Sequence, residues 1–479
     1  MNKQLAEIRT RLAAHGQSHV LKFFDQLGGQ RQAALLEQLR QLDLDQVDGW
    51  IRDYVRGNPE PTLPADIDAA PCYARNGEGY DAAKYRDQGV ELIRAGKMAA
   101  FTVAGGQGTR LGWNGPKGVF PATPITGKPL FQCFAEQILA TQQTYCVTVP
   151  WYIMTSPLND GETRSFFEEN KCFGLNHKEV HFFPQGVLPS LSLPDGKLLL
   201  SELHELAVNP DGHGGSLRAL AISGALEEMQ DRGIELISYF QVDNPLVNVI
   251  DPLFIGLHVH APDSSAEMSS KMVPKVDPLE KVGVFARGND RTMVIEYSDL
   301  PVELAAERDA AGGLRFRAGS IAIHLLAVEF VQRLTDEAGH VALPMHRAEK
   351  KVPYIDPQTG ERVDPEQPNA VKLEMFVFDA LPRASASIVL ETDRTEEFAP
   401  IKNMDGNDSL ATSQQLQSDR AGRWLEQQGV TVPRTANGHV DAWIEMGPLF
   451  ALDAKSLAIQ NLPAVIEPGG EILLDAEQR

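Results

Sequence analysis

Apolar residues recur at helical spacing through the first part of the chain. Leu5, Ile8 and Leu12 fall on one face of a helix, and Leu36 and Leu39 fall on one face of another. A Gly-Gly pair separates the two patterns, and prolines follow at positions 59, 61 and 64. We predict helices from residue 1 to about 56, then a linker, and assign residues 1–95 to an N-terminal helical segment that serves packing.

The pattern changes near residue 97 to short apolar runs that alternate with amphipathic stretches. One such stretch predicts a helix from Ser216 to Asp231, with Ser216 as its N-cap. The runs that we predict as strands are Met98–Val103, Val147–Met154, Leu236–Val242, Val282–Phe285 and Met293–Tyr297. This alternation is typical of an α/β domain with a mostly parallel sheet, to which we assign residues 96–400. Ligands of such sheets bind beyond the carboxyl ends of the strands.

Residues 401–479 form a looser C-terminal region, in which the clearest element is a predicted helix from Ser409 to Gln428. The chain has 479 residues, of which 43% are hydrophobic and 23% are charged. That composition is ordinary for a globular protein, and the length is too great for one hydrophobic core. We therefore expect two or three domains.

Charge and cysteine content narrow the class of partner. The net charge of −21 argues against nucleic acid or an anionic membrane as the main partner. No apolar run reaches the ~18–20 residues of a membrane span. The four cysteines form neither a Cys-x-x-Cys pair nor a zinc-binding spacing. We expect a reducing, cytoplasmic setting, whereas the oligomeric state stays open.

The strongest chemical signal follows the first predicted strand. The sequence there is Ala104-Gly105-Gly106-Gln107-Gly108-Thr109-Arg110-Leu111-Gly112, with Pro116-Lys117 close behind. Glycines allow backbone N–H groups to approach phosphate oxygens, and Arg110 and Lys117 add positive charge. The loop lacks the Gly-Lys-Ser/Thr ending of a P-loop, and Leu111 stands where a dinucleotide-binding loop needs its third glycine. The sequence therefore predicts a polyphosphate site of another type.

Further motifs follow this loop and resemble those of one family, in the same order. They are Pro184-Gln185-Gly186-Val187-Leu188-Pro189, Asp211-Gly212-His213-Gly214-Gly215, Val242-Asp243-Asn244, Val282-Gly283-Val284, Val294-Ile295-Glu296-Tyr297, Glu374–Asp379 and Pro400-Ile401-Lys402-Asn403. With the glycine loop they resemble the UDP-sugar pyrophosphorylases, most closely the eukaryotic-type UDP-N-acetylhexosamine pyrophosphorylases. The resemblance implies a Rossmann-like nucleotide-diphospho-sugar transferase fold with a small β-rich C-terminal region. It also implies an enzyme that makes a UDP-sugar and pyrophosphate from UTP and a sugar 1-phosphate.

In that reaction the sugar phosphate attacks the α-phosphorus of UTP in line, so catalysis consists mostly of positioning and charge neutralisation. No general base is needed, because a sugar phosphate is already ionised at neutral pH. The resemblance implies that Gly105, Gly106 and Arg110 hold the UTP phosphates and that Lys117 neutralises the α-phosphate. Lys402 matches a lysine near the attacking phosphate, although a solvated lysine before a turn is a competing interpretation.

The same resemblance implies a metal ligand and a base-reading pair. Asp243 follows a predicted strand directly and would ligate Mg²⁺, which accepts one or two carboxylates together with phosphate oxygens. The alternative is an Asx turn that closes the strand. Gln185 and Gly212 match uracil-reading positions, where a carboxamide can both donate and accept. Lone Gln and Gly residues are usually structural, so these two assignments rest on the resemblance.

The sugar side carries fewer independent signals. Gly283 and Glu296 match positions that contact the sugar and its 2-substituent. Phe376 and Phe378 alternate along a predicted strand and so share one face. The family places aromatic residues there around the N-acetyl group, but a buried core strand explains the pattern equally well.

Three positions depart from the family pattern. His213 stands where the family has an asparagine that contacts the sugar, and Arg317 and Ser320 replace two asparagines, of which one reaches the sugar. A site built on hydrogen bonds discriminates steeply between substrates. Motif similarity favours N-acetylglucosamine 1-phosphate as the substrate, and the three substituted positions make glucose or galactose 1-phosphate the alternative. Arg317 either pairs with Glu296 or contacts the sugar phosphate.

Two further classes of protein fit the sequence less well. A catalytically silent nucleotide-sugar-binding protein would not need the full set of Arg110, Lys117, Asp243 and Lys402. A glycosyltransferase of related fold would carry Asp-x-Asp after a central strand, where this chain has Asp243-Asn244. Both are therefore disfavoured.

Overall fold

The computed structural model describes residues 2–57, 63–335 and 342–476. The chain forms two compact units, each assembled from separate stretches. The smaller unit comprises Met1–Leu63, Gly186–Gly215 and Leu343–Val377, and the larger unit comprises Pro64–Gln185, Ser216–Ala342 and Phe378–Arg479. These units cut across the consecutive boundaries at 95 and 400 that the sequence predicts. The linker prolines predicted at 59 and 61 lie outside the described residues.

The helices and strands are as follows. The α-helices are α1 (Asn2–Ala14), α2 (Gly29–Gln41), α3 (Leu44–Trp50), α4 (Ala82–Arg94), α5 (Leu130–Tyr145), α6 (Asp160–Glu169), α7 (Gly215–Ile222), α8 (Ala225–Asp231), α9 (Pro252–His260), α10 (Val302–Ala305), α11 (Val328–Leu334), α12 (Arg394–Glu397) and α13 (Leu410–Gln427). The strands are β1 (Asp68–Ala69), β2 (Met98–Val103), β3 (Trp151–Thr155), β4 (Val180–Pro184), β5 (Val187–Pro189), β6 (Leu191–Ser192), β7 (Leu200–Glu202), β8 (Glu205–Leu206), β9 (Val208–Pro210), β10 (Leu236–Gln241), β11 (Met268–Pro274), β12 (Val284–Gly288), β13 (Arg291–Ile295), β14 (Ala318–Ala327), β15 (His346–Lys350), β16 (Tyr354–Ile355), β17 (Arg362–Val363), β18 (Ala370–Glu374), β19 (Val389–Glu391), β20 (Trp443–Met446) and β21 (Glu471–Leu474). Short 3₁₀ turns include Thr109–Leu111, Lys117–Val119 and Val377–Arg383, and a π-helical turn covers Ile51–Arg56.

A ten-stranded sheet forms the centre of the larger unit. Its main strand order is β1-β12-β14-β10-β2-β3-β4. In addition, β13 pairs with β12, and β11 pairs with both β14 and β19. Strands β10, β2, β3 and β4 are parallel, whereas β14 runs antiparallel to β10. The parallel centre follows from continuous apolar runs, since β2, β3 and β10 are buried along almost their whole length. Their carboxyl ends therefore meet at one edge of the sheet.

Each unit has its own hydrophobic core. In the larger unit, Phe101, Trp151 and Phe240 are among the buried residues of the sheet, and apolar side chains of α5 and α9 pack with it. In the smaller unit, α1, α2 and α3 bury leucines against β6, β7, β8 and β18. The N-terminal helices predicted from the sequence are thus confirmed.

Two predictions about elements need correction. The helix predicted from Ser216 to Asp231 is two helices, α7 and α8, because Gly224 between them has a φ of 80°, in the left-handed region. Ser216 consequently lies inside α7 rather than at an N-cap. The C-terminal region is less rich in strands than predicted: beside α13 it holds one parallel pair, β20 with β21. Among the described helices, none has both the length and the apolar character of a membrane-spanning segment.

Candidate active site

The glycine loop, residues 104–117, begins directly where β2 ends and turns back on itself. The N–H of Lys117 donates to the carbonyl of Gly106 at 3.1 Å, which holds the lysine beside the first glycines. Within the described residues, the N–H groups of Gly105 and Gly106 donate to no protein oxygen. Unpaired N–H groups beside a lysine suit an anion such as phosphate.

Arg110 lies on the 3₁₀ turn Thr109–Leu111 within this loop. The turn ends at Gly112, whose φ of 68° explains the glycine at that position. The Arg110 side chain is exposed, and no carboxylate of the described residues pairs with it. Its guanidinium can therefore pair with a phosphate without breaking an existing ion pair.

Gln185 explains why position 105 is a glycine. Gln185 is buried directly after β4, and its N–H donates to the carbonyl of Thr155 at 2.8 Å. A Cβ at position 105 would lie only 2.1 Å from Oε1 of Gln185. The close approach places the predicted uracil-reading residue against the predicted phosphate loop, so any larger residue at 105 would displace the carboxamide.

Asn159 is a residue of this site that the sequence analysis missed. It is fully buried, and its Nδ2 donates to the carbonyls of Ala104 at 3.1 Å and Gly106 at 3.4 Å. Its Oδ1 accepts from the N–H of Ser156 at 2.7 Å. A polar residue shortly after β3, at the carboxyl edge of a parallel sheet, was the available signal. Asn159 thereby fixes the start of the glycine loop.

Asp243 and Lys117 form a largely buried ion pair just beyond the carboxyl ends of β10 and β2. The Lys117 Nζ lies 3.4 Å from Oδ2 of Asp243, and the side chains keep only 15% and 12% of their exposure. Burial raises the pKa of Asp243, but the positive charges of Lys117 and Lys402 outweigh burial, so the pKa lies below its ordinary value. Asp243 is consequently an ionised carboxylate at neutral pH.

Lys402 is held near Asp243 by backbone contacts. The N–H of Ile401 donates to the carbonyl of Asp243 at 2.8 Å. The side chain of Asn244 makes two hydrogen bonds to the segment just before Lys402. It donates to the carbonyl of Glu397 at 2.6 Å and accepts from the N–H of Ala399 at 3.0 Å. The structure thus brings together Asp243 and the segment that carries Lys402.

The Lys402 ammonium lies over the ring of Phe398, 5.3 Å from its centroid. Both side chains line a cavity of about 620 Å³, together with Val282, Lys281 and Arg394. Asp277, Glu280 and Asp408 also line the cavity, and Arg394 pairs with Glu280 at 2.5 Å, so its walls carry both signs of charge beside apolar groups. Lys402 and Lys281 supply positive charge for a phosphate, and the apolar walls suit a less polar body.

Gly283 and Glu296 lie next to each other across the hairpin of β12 and β13. A Cβ at position 283 would lie 3.2 Å from Oε1 of Glu296. Ser320, which the resemblance marks as a departure from the family pattern, donates its N–H to the carbonyl of Gly283 at 2.8 Å. These three predicted or substituted sugar positions therefore form one cluster in the larger unit.

Arg317 does not pair with Glu296, which corrects one of the two alternatives drawn from the sequence. Its guanidinium instead forms an ion pair with Glu391 at 2.6 Å. Arg317 lies directly before β14, and Glu391 ends β19. Because β11 lies between β14 and β19 in the sheet, the pair spans a neighbouring strand.

The smaller unit holds Gly212, His213 and Phe376. Gly212 has a φ of 82°, and a Cβ there would lie 2.3 Å from the carbonyl of Met375. The Nδ1 of His213 accepts from the N–H of Val377 at 3.1 Å. This bond fixes the ring of His213 beside the end of β18.

Phe376 is stacked between two imidazoles. Its ring centroid lies 5.1 Å from that of His213 and 4.1 Å from that of His346, with interplanar angles of 14° and 28°. We call His213, Phe376 and His346 the ring stack. Burial, assisted by the charge of His346, lowers the pKa of His213 to about 4, so His213 is neutral at neutral pH.

Phe376 and Phe378 do not share a strand face, contrary to the sequence prediction. Strand β18 ends at Glu374, and the chain continues as the 3₁₀ turn Val377–Arg383. Phe376 belongs to the smaller unit, whereas Phe378 belongs to the larger one and is 7% exposed. The alternation of two aromatic residues was too short to distinguish a strand from a tight helical turn.

The described part of the chain has no metal site built from protein side chains alone. No group of three or more His, Cys, Asp or Glu side chains there could hold a metal ion. The four cysteines are free thiols. At this site Asp243 can act as a single carboxylate ligand of a cation, provided that a bound ligand supplies the other oxygens.

Comparison with known proteins agrees with this chemistry. Residues 79–456 match the family described as UTP–glucose-1-phosphate uridylyltransferase. A probable UDP-N-acetylglucosamine pyrophosphorylase of Dictyostelium discoideum is 33% identical over 468 residues, which cover 94% of each chain. A UDP-N-acetylhexosamine pyrophosphorylase-like protein 1 of Mus musculus is 35% identical over 481 residues, which also cover 94% of each chain.

A solved structure is similar over the whole length. It is the uridine diphosphate N-acetylglucosamine pyrophosphorylase of Trypanosoma brucei in complex with an inhibitor, which is 26% identical. The alignment covers 100% of this chain and 99% of that one, with a TM-score of 0.80. The two chains thus share the fold from end to end.

Proposed function

The chain belongs to the UTP–glucose-1-phosphate uridylyltransferase family, and on that premise we propose that it transfers the uridylyl group of UTP to N-acetylglucosamine 1-phosphate. The ion pair of Lys117 with Asp243 beside the glycine loop carries the proposal, because it places both signs of charge where a polyphosphate reacts. The name of the Dictyostelium discoideum relative supports N-acetylglucosamine as the sugar, and that of the Mus musculus relative supports an N-acetylhexosamine.

The reaction forms one bond and breaks one bond at the α-phosphorus. An oxygen of the sugar phosphate forms a new P–O bond, and the bond from the α-phosphorus to the bridging oxygen breaks. The electron pair of that bond leaves with pyrophosphate, so no proton has to move. The protein therefore contributes orientation and charge rather than acid–base chemistry.

The residues of the larger unit take the following roles in this proposal. The N–H groups of Gly105 and Gly106 hold the UTP phosphates, and Arg110 stabilises the pyrophosphate that leaves. Lys117 neutralises the charge that builds up at the α-phosphorus. Lys402 orients the sugar phosphate for in-line attack, in the cavity that it lines.

Asp243 fits the role of a Mg²⁺ ligand. It is ionised and buried, and it follows the central strand β10. When bound, the metal supplies charge neutralisation at the phosphates. Asp243 would hold it together with phosphate oxygens, since the described residues offer no further carboxylate cluster.

The recognition of base and sugar remains part of the proposal. Gln185 and Gly212 are assigned to the uracil. The residues assigned to the sugar are His213, Gly283, Glu296, Arg317, Phe376 and Phe378. Arg317 already pairs with Glu391, so a contact with the sugar would be made alongside that ion pair. We also propose a cytoplasmic setting, in keeping with the free thiols.

A second candidate is transfer to glucose or galactose 1-phosphate. The family description itself names glucose 1-phosphate. His213, Arg317 and Ser320 also stand where related enzymes carry asparagines, so the hydrogen bonds offered to the sugar differ. The reaction class is the same for both candidates, and only the sugar changes.

The deciding experiment measures pyrophosphate release with UTP, Mg²⁺ and a panel of sugar 1-phosphates. We expect the highest kcat/KM with N-acetylglucosamine 1-phosphate, and none when the sugar phosphate is omitted. A preference for glucose or galactose 1-phosphate would select the second candidate. Nucleotide binding without release from any sugar would instead identify a silent nucleotide-sugar-binding protein.

A further inference from the structure

Side chains of the C-terminal region form hydrogen bonds and an ion pair with a loop that follows Lys117. This loop, residues 120–130, closes on itself, since the N–H of Ala122 donates to the carbonyl of Lys128 at 2.9 Å. The N–H of Leu130 likewise donates to the carbonyl of Phe120 at 3.2 Å. We call it the clamped loop. It offers several backbone groups that its own residues leave unpaired.

Glu445 of β20 satisfies two of those groups. Its Oε2 accepts from the N–H groups of Ile125 and Thr126, each at 2.8 Å, and its Oε1 accepts from the hydroxyl of Thr126. Glu445 is only 4% exposed, and no cation of the described residues pairs with it. A buried carboxylate without a counter-ion is costly, so hydrophobic packing alone does not account for it.

Three more side chains of the C-terminal region hold the same loop. Asp475, directly after β21, pairs with Lys128, which also pairs with Glu136 of α5. Gln414 and Gln417 on α13 donate to the carbonyls of Thr123 at 3.0 Å and Ala122 at 2.9 Å. The clamped loop is therefore fixed from β20, β21 and α13 together.

The clamped loop follows directly after Lys117 in the chain. Lys117 opens the 3₁₀ turn Lys117–Val119, and the N–H of Phe120 donates to the carbonyl of Lys117 at 3.0 Å. Any movement of the clamped loop would thus pass to Lys117 across a single turn. An error of about 1 Å in the position of a catalytic group can cost about 10²-fold in rate.

Helix α13 connects the same region to Lys402. The N–H of Lys402 donates to the carbonyl of Asp408 at 2.6 Å, just before the N-cap of α13 at Ser409. The hydroxyl of Ser413 donates to the carbonyl of Ala399 at 2.6 Å, so α13 also holds the segment before Lys402. One helix therefore contacts both the clamped loop and the Lys402 segment.

We propose that the C-terminal region positions Lys117 relative to Lys402 for uridylyl transfer, and that Glu445 is the positioning residue on the Lys117 side. This inference rests on the proposed roles of the two lysines. It gives the C-terminal region a part in catalysis although none of its side chains beyond Lys402 has to touch the substrate.

The test compares Glu445→Ala with Glu445→Gln and with a control inside the C-terminal region. The control is Asp419→Ala. Asp419 is 5% exposed and lies on α13, but its partners are Gln415, His439 and the N–H of Val440, none of which belongs to the clamped loop. We expect kcat to fall about tenfold in Glu445→Ala with little change in the KM for UTP. Glu445→Gln should recover most of the kcat, because its amide oxygen can still accept from both N–H groups. Asp419→Ala should leave kcat unchanged, although we expect it to lower the melting temperature by about as much as Glu445→Ala does.

Amide hydrogen exchange supplies a readout that does not depend on activity. Exchange over residues 117–129 should quicken in Glu445→Ala and stay unchanged in Asp419→Ala. If Glu445→Ala does not fold, the double variant Gln414→Ala with Gln417→Ala tests the same clamp without a buried charge, with several-fold loss of kcat expected. Unchanged kcat in the folded variants, or equal kcat losses in Glu445→Ala and Asp419→Ala, would overturn the proposal. Full activity of Lys117→Ala would instead refute the proposed function of that lysine.

Discussion

Two regions differ in how they treat charge: the ring stack, and what we call the phosphate region, namely the glycine loop of residues 104–117 with Asp243 and Lys402. In the phosphate region, Asp243 is buried yet kept ionised, because Lys117 and Lys402 lower its pKa. In the ring stack, His213 is kept neutral, because burial lowers its pKa to about 4. Charge is the working principle of the first region, and shape with hydrogen bonding is that of the second. In the proposed function, the reaction class thus depends on residues that admit few replacements, whereas sugar choice depends on residues that admit more.

The difference is sharpest in how each region tolerates a change of residue type. A phosphate must be met by positive charge or by N–H groups, so Lys117, Arg110 and the glycines admit few replacements. A sugar hydroxyl can be met by an amide, an imidazole or a hydroxyl. The resemblance puts His213 at the place of an asparagine, and its bond to the N–H of Val377 leaves the proton of the neutral ring on Nε2.

The largest effect is expected at Lys117. In Lys117→Ala we expect kcat to fall about 10³-fold, since one preorganised charge at the reacting centre is lost. The affinity for UTP should change far less, because the N–H groups of Gly105 and Gly106 and the side chain of Arg110 remain. Steady-state kinetics and calorimetric UTP binding measure the two quantities. Lys97→Ala is the control, as Lys97 forms an ion pair of 2.7 Å with Glu235. Equal losses of kcat and affinity would refute a transition-state role.

The next effect is expected at Asp243. In Asp243→Asn we expect kcat to fall about 10²-fold and the response to added Mg²⁺ to disappear, because the charged metal ligand is gone. A Mg²⁺ titration of activity at fixed UTP checks both outcomes. In the wild type, the carboxylate stays ionised as pH falls until below its ordinary pKa of about 3.9, so acid loss of activity near pH 5 would have another cause. A variant with the wild-type Mg²⁺ response would show that Asp243 is not the ligand.

The two regions were also unequally predictable. Strand β2 and the glycine loop followed directly from composition, since a continuous apolar run ended in glycines and cations. The positions of Phe376 and Phe378 could not be predicted in this way, because β18 ends at Glu374 and the chain continues as a 3₁₀ turn. A pattern of five residues does not show where a strand loses its pairing partner, so it could not predict the end of β18.

Long-range contacts account for the other differences. Arg317 found Glu391 instead of Glu296, and 74 residues separate the two partners in sequence. Asn159 was missed because its role lies in bonds to two carbonyls of a distant loop. Motif resemblance supplied Asp243 and Lys402, whereas their meeting depends on the N–H of Ile401, which donates to the carbonyl of Asp243 from far along the chain.

Asn159 tests whether the phosphate region depends on support as well as charge. In Asn159→Ala we expect kcat/KM for UTP to fall about tenfold, because the start of the glycine loop loses its bonds. The free energy of unfolding should drop by about 1–3 kcal/mol. Asn209→Ala is a matched control, since Asn209 is 2% exposed and donates to the carbonyls of Pro210 and Leu373. If both variants lose activity alike, the effect is one of stability alone.

A smaller effect, on selectivity rather than rate, is expected at the ring stack. In His213→Asn we expect the ratio of kcat/KM for N-acetylglucosamine 1-phosphate over glucose 1-phosphate to rise about tenfold. The reason is that asparagine offers both a donor and an acceptor at that position. Competition between the two sugar phosphates for UTP measures the ratio directly. An unchanged ratio would remove His213 from the residues that select the sugar.

The smallest effect is expected in the pH dependence of stability. The pKa of His213 is about 4 when folded, against about 6.5 for an ordinary histidine. Between these values the unfolded chain binds a proton that the folded chain does not, so His213 makes stability fall as pH drops from about 6.5 towards 4. His213→Asn should therefore flatten the decline of the melting temperature in this window, relative to wild type. His177→Asn is the control, because His177 is exposed and should leave the curve unchanged. An identical curve for His213→Asn and wild type would mean that His213 is solvated and that the ring stack does not hold it neutral.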